Sequence, residues 1–109
     1  MQLQQNHSLK EHNTLHIDVK AKYFIEINSV DELRKTLSRP KFKTLPHLVI
    51  GEGSNLLFTN DYNGIIVYPN IKGIKTVHED DSKIIIQANS GENWDNFVKY
   101  CVNHNYGGI

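Results

Sequence analysis

The sequence predicts an α+β domain, a mixed sheet with flanking helices, and three observations carry that expectation. A capping signal opens a helix just after the first β-rich run, short runs of β-branched and aromatic residues fill the middle, and a helical stripe of apolar residues lies near the end. The 109 residues fit one ordinary domain, so a second independent core is not expected.

Residues 1–21 read as a polar lead-in, rich in Gln and Asn at its start. It lacks the basic segment followed by an apolar run that a secretion signal requires. Lys22–Asn28 (KYFIEIN) carries the aromatic and β-branched alternation of a first strand. Ser29 and Glu32 then form an S-x-x-E capping box, in which the serine hydroxyl accepts the Glu32 amide and the carboxylate bonds back. The helix so started would bury Val30, Leu33 and Leu37 and stop near Pro40, because proline disfavours helix in the residue before it.

Pro46–Ile50 predicts a second strand, which runs into Gly51-Glu52-Gly53-Ser54-Asn55, too glycine-rich to continue as regular sheet. Leu56–Phe58 and Gly64–Tyr68 read as two further strands joined tightly through the turn signal at 60–64. Gly73–Glu79 and Lys83–Ala88 flank the acidic turn Asp80-Asp81-Ser82 as a hairpin. Trp94, Phe97, Val98, Cys101 and Val102 fall at the spacing of an amphipathic helix, ended by Gly107 and Gly108.

Twelve Lys plus Arg balance twelve Asp plus Glu, so no broad basic field attracts nucleic acid or an anionic membrane. The apolar runs fall far short of the roughly 20 residues that span a bilayer. A lone cysteine, Cys101, forms no internal disulfide and fits a reducing cytoplasm; on the helix stripe it reads as a small core residue. Among six histidines only His12 and His16 stand at i, i+4, in a segment without helical patterning or a third ligand, so no metal site is expected. Glu79, Asp80 and Asp81 read as a solvated acidic turn rather than paired acid and base.

The loop after the second strand is the candidate site. Its glycines allow positive φ and let a ligand approach the backbone, and successive amides there can form a concave anion nest rimmed by the Ser54 hydroxyl and the Asn55 amide. A diphosphate suits that geometry; a plain tight turn between strands suits the two glycines equally well. No third glycine opens a helix, so this is not the Rossmann fingerprint. Gly91-Glu92-Asn93-Trp94 starts the last helix, whose N-terminal amides favour anions, whereas Trp94 itself reads as core packing.

Across essentially the whole chain, LVIGEGSNLLF, NDYNGIIVYPNIKGI and SGENWDNFVKYCVNHNYGGI resemble the UDP-N-acetylenolpyruvoylglucosamine reductase (UDP-N-acetylmuramate dehydrogenase) family. The resemblance implies that residues 1–109 are the amino-terminal part of a vanillyl-alcohol-oxidase-type (PCMH-type) FAD-binding domain. It maps the FAD diphosphate onto Gly51, Gly53, Ser54 and Asn55, with Glu52 at a variable position and Leu56 closing the segment. It implies NADPH as co-substrate, a UDP-sugar as substrate of the complete enzyme, and a place in the synthesis of cell-wall precursors. The family's protonating serine and its enolate-stabilising arginine and glutamate are expected beyond Ile109, so no catalytic residue is assigned within the chain and the substrate domain is expected to be absent. Asn13-Thr14-Leu15 is similar to the family's N-T-F entrance, but Leu15 replaces the usual Phe and His16 stands where Gly is common, so no role is carried over there. Two other readings stay open: a non-catalytic flavin-binding fragment, and another flavin oxidoreductase of the same fold.

Overall fold

The computed structural model describes residues 2–109, which group into two compact units, residues 2–70 and Ile71–Ile109.

The first unit is a four-stranded mixed sheet. In chain order its elements are β1 (Gln4–Ser8), a 3₁₀ turn (Lys10–His12), β2 (Lys20–Ile27), α1 (Val30–Leu37), α2 (Lys41–Thr44), β3 (His47–Val49) and β4 (Tyr62–Pro69). The sheet order is β1-β2-β4-β3, with β1 antiparallel to β2 and β4 parallel to both β2 and β3. The central strands carry the core: Phe24, Ile25 and Ile27 of β2 and Ile65, Ile66 and Val67 of β4 are all buried. A run of adjacent buried residues, instead of strict alternation, marks strands covered on both faces.

Several expectations change here. The polar lead-in holds β1, which the sequence hides because Gln4, Gln5, Asn6 and Ser8 are exposed and only His7 is half-buried. Such an edge strand is held by backbone pairing to β2, not by an apolar face. The capping box forms: the Ser29 hydroxyl accepts the Glu32 amide at 3.1 Å, while the carboxylate reaches one residue further back, to the Asn28 amide at 2.7 Å. The expected apolar stripe of α1 does not, since Val30 and Leu37 are exposed and the fully buried residue is Thr36. Eight residues make little more than two turns, and Leu33 with Thr36 at i, i+3 supplies the inward line. The helix does stop short of Pro40, at Leu37 with Ser38 as its C-cap, and Pro40 then stands at the N-cap of α2, a turn absent from the sequence reading. Leu56–Phe58 is no strand either, for Leu56 and Phe58 pack on the core while Leu57 points out, and the segment pairs with no neighbour.

The second unit is an antiparallel hairpin, β5 (Ile74–Glu79) and β6 (Ile84–Ala88), followed by α3 (Trp94–Asn103). Asp80 organises the hairpin turn: its Oδ1 accepts the Ser82 and Lys83 amides and the Ser82 hydroxyl, each at 2.9 Å. The His78 ring and these donors hold the Asp80 carboxyl down at about 2. Asn93 caps α3 by accepting the Asn96 amide at 3.0 Å. The helix ends before the glycines in a Schellman motif: Asn105 takes φ +58°, and the Tyr106 amide donates to the Cys101 carbonyl at 2.8 Å. Cys101 is buried as the stripe predicts, whereas Trp94, read as core, is 65% exposed.

Candidate functional site

Strand β3 delivers the chain to the candidate loop. Its last ladder contact, the Ile50 amide to the Val67 carbonyl at 3.0 Å, fixes the loop's base at the carboxyl end of two parallel strands, with Ile50 buried beneath it. Parallel sheets bind ligands at that end, where strand-end loops present their amides. From there residues 51–56 curl around a depression of about 260 Å³ lined by Val49 and Ile50 together with all six predicted residues.

The six residues divide by environment. Gly51, Glu52, Ser54 and Asn55 are exposed, Gly53 is buried, and Leu56 is half-buried against the core. Among the described residues, no protein carbonyl accepts from the amides of Gly51, Gly53, Ser54 or Asn55. Backbone amides without a backbone acceptor beside a small concavity are donors that an anion can satisfy.

The two glycines differ in kind. Gly53 takes φ +72°, and a Cβ there would run into the His12 carbonyl oxygen and come within 2.7 Å of the Asn13 Cα. Glycine is therefore demanded at position 53 by the fold itself, before any ligand is considered. Gly51 has no positive φ, and a Cβ at that position would meet nothing within 4 Å, so the protein alone would tolerate a side chain there.

The backbone that Gly53 packs on carries no role in the sequence reading. The turn from Leu9 to Ile17 is closed by Asn13, only 3% exposed, whose side-chain nitrogen donates to the Leu9 and Ile17 carbonyls at 2.7 and 3.1 Å. Its side-chain oxygen accepts the Ile17 amide at 2.9 Å. The Thr14 amide donates to the Gly53 carbonyl at 3.3 Å, joining turn to loop. His16, where the resembling family commonly has Gly, sits at φ +54°, a left-handed position. The only signal of this turn in the sequence is the Asn13-Thr14-Leu15 likeness.

Beside this turn four rings gather. His7 stacks on Phe24 at 4.2 Å between centroids, and His12 lies 4.5 Å from Phe24 and 5.2 Å from Tyr68. Burial holds both imidazoles below their ordinary value; for His12 the neighbouring His7 adds to this, while Glu26 and Glu11 oppose it. Among the described residues no group of three or more His, Cys, Asp or Glu is placed to hold a metal ion, and no helix is long and apolar enough to cross a membrane.

The glycine loop thus stands at the carboxyl end of parallel strands, and comparison with known proteins gives the family. The FAD binding domain family matches residues 21–108, and the chain belongs to that family. A protein of Vibrio vulnificus named UDP-N-acetylenolpyruvoylglucosamine reductase is 43% identical over 109 residues, which is 100% of this chain and 31% of the relative. Proteins of the same name from Bacteroides fragilis and Flavobacterium johnsoniae are 46% and 37% identical, over 98% and 100% of this chain and 32% of each relative. The chain thus spans about a third of the length of these relatives.

Proposed function

We propose that the chain is the flavin-holding part of an NADPH-dependent reductase that converts UDP-N-acetylglucosamine enolpyruvate to UDP-N-acetylmuramate in the cytoplasm, within a PCMH-type FAD domain. The observation that carries this reading is the loop itself: four amides that, among the described residues, no backbone carbonyl accepts, open space over Gly51, and the Ser54 and Asn55 side chains exposed at the rim. This donor set fits the diphosphate of FAD. The depression, at about 260 Å³, accommodates that group and not the whole dinucleotide. Gly51, Gly53, Ser54 and Asn55 would donate to the diphosphate oxygens, Leu56 would anchor the loop on the core, and Glu52 is exposed. When bound, the flavin supplies hydride transfer between NADPH and the enolpyruvyl carbon.

The part played by these residues is binding and orientation. A second reading lies within the same frame, that residues 1–109 hold flavin without turning over the UDP-sugar, and the FAD binding domain match supports its flavin part. Among the described residues ten large apolar side chains are exposed, including Leu57, Trp94 and Val102.

Fluorescence titration with FAD tests the loop. Gly53→Asp should abolish binding and Gly51→Ala should weaken it; unchanged affinity in both removes the loop from the site. NADPH oxidation, followed with and without the UDP-sugar, separates the two readings: substrate-dependent oxidation that saturates would show the whole reaction within these residues, and its absence would leave flavin holding as their role.

A further inference from the structure

We propose that Asn13 is a positioning residue for the glycine loop, holding the shape in which residues 51–55 receive the diphosphate. The inference rests on the diphosphate reading above and extends it to a residue that touches no ligand.

Asparagine is an uncommon choice for a site only 3% exposed, because both ends of its amide must find partners away from water. Here they do: both carbonyls that accept from its nitrogen, and the amide that donates to its oxygen, belong to one turn, Leu9 and Ile17. Three bonds from one planar group leave that turn a single shape. A core of apolar residues would not need such a clamp, and Leu9 beside it is already fully buried.

The turn's shape matters because of what leans on it. The His12 carbonyl and the Asn13 Cα occupy the space where Gly53 would carry a Cβ, so Gly53 lies directly against the clamped backbone. The Thr14 amide, next along the turn, donates to the Gly53 carbonyl at 3.3 Å. Gly53 is the residue at positive φ that bends the loop, so a shift of the turn is handed to the amides of Ser54 and Asn55. Binding groups misplaced by about 1 Å lose most of their effect, since hydrogen bonds depend steeply on geometry.

The test compares Asn13→Ala with Gly51→Ala in the 109-residue chain. Amide NMR of the ligand-free protein should show the Gly51, Gly53, Ser54 and Asn55 signals of Asn13→Ala shifted and their exchange with solvent accelerated about tenfold or more, with Ile65–Val67 of β4 unmoved. FAD affinity should fall about tenfold or more, and the ³¹P signals of FAD should move toward those of the free dinucleotide. A merely structural asparagine would lower the melting temperature yet leave the loop amides of the folded protein unchanged, and that result overturns the proposal. If Asn13→Ala does not fold, Asn13→Asp gives the same comparison, for it keeps the acceptor of the Ile17 amide and loses both donations. Gly51→Ala judges the diphosphate reading separately: unchanged FAD affinity and ³¹P signals there would sink that reading, while the loop amides of the Asn13 variant still decide whether Asn13 positions the loop.

Discussion

The two units of the chain are built on different physical terms. Of the eleven buried apolar residues among those described, ten lie in the first unit and only Cys101 in the second. The first unit has a core of its own, with β2 and β4 covered on both faces. The hairpin and helix of the second are shaped by local devices instead: the Asp80 turn, the Asn93 cap and the Schellman ending. Trp94 and Val102, at 65% and 62% exposed, show that helical periodicity specifies a helix without specifying that its apolar face is covered. The loop that would hold a ligand belongs to the unit with the core, and rigid support is what a preorganised set of amides requires.

The contrast is tested most severely by cavities. Ile66→Ala, at a fully buried position of β4, should cost about 2–5 kcal/mol, whereas Val102→Ala in α3 should cost less than about 0.5 kcal/mol. Hydrogen exchange at the β2 and β4 amides reads the first effect, and fluorescence of Trp94 under urea reads the second. Similar losses in both would show that the second unit has a hidden core.

Next in size is Gly53→Ala, which forces a Cβ against the 12–13 backbone at φ +72°. Left-handed strain and overlap together should cost about 2–4 kcal/mol, confined to the first unit. The expectation separates fold from ligand at this position, since the loss should appear in protein without flavin. Undiminished stability would mean that the loop moves freely over the Leu9–Ile17 turn.

How much of this could be read from the sequence depends on what holds each part. The capping box, the hairpin and α3 announce themselves because their signals are local: Ser29 with Glu32, the acidic turn, the apolar period from Trp94 to Val102. The loop was legible from Gly51 and Gly53. Strand β1 was not, since a polar edge strand carries no alternation, and neither was the burial of Thr36, which depends on how α1 lies on β2. Asn13 escaped for the same reason: a polar residue far from residue 53 in sequence becomes legible only when the turn it closes is seen beneath the loop.

Acidification should reach the two units in order. His7 and His12 titrate lower in the folded protein than the ordinary 6.5, so the unfolded chain binds more protons in that window. Their contribution to the first unit is complete above about pH 6.5 and is lost as pH falls below it toward the folded values. Asp80, held at about 2 against an ordinary 3.8, contributes above the higher value and loses that contribution as pH falls toward the lower. Amide protection factors, corrected for the intrinsic slowing of exchange in acid, should therefore fall between pH 7 and 3 first around β1 and β2 and only later at the β5–β6 turn. The reverse order would contradict the neutral packing of the two imidazoles on Phe24.

The smallest effect separates strain from support within the first unit. His16 holds φ +54°, a conformation that costs an ordinary residue roughly 1–2 kcal/mol and a glycine nothing. Histidine is among the residues that visit this region more readily than most, so its cost lies at the low end. Replacement by glycine also frees the unfolded chain, which subtracts up to about 1 kcal/mol from the gain. His16→Gly should thus change stability by less than about 1 kcal/mol, in the stabilising direction if strain outweighs chain entropy. Thermal unfolding of the two proteins decides the sign, and Asn13 should hold the turn in both, because its partners are the Leu9 and Ile17 backbone and not the His16 side chain. A loss well above about 1 kcal/mol would mean that the exposed imidazole makes a contact that steadies the turn, and support for the glycine loop would then come from two residues instead of one.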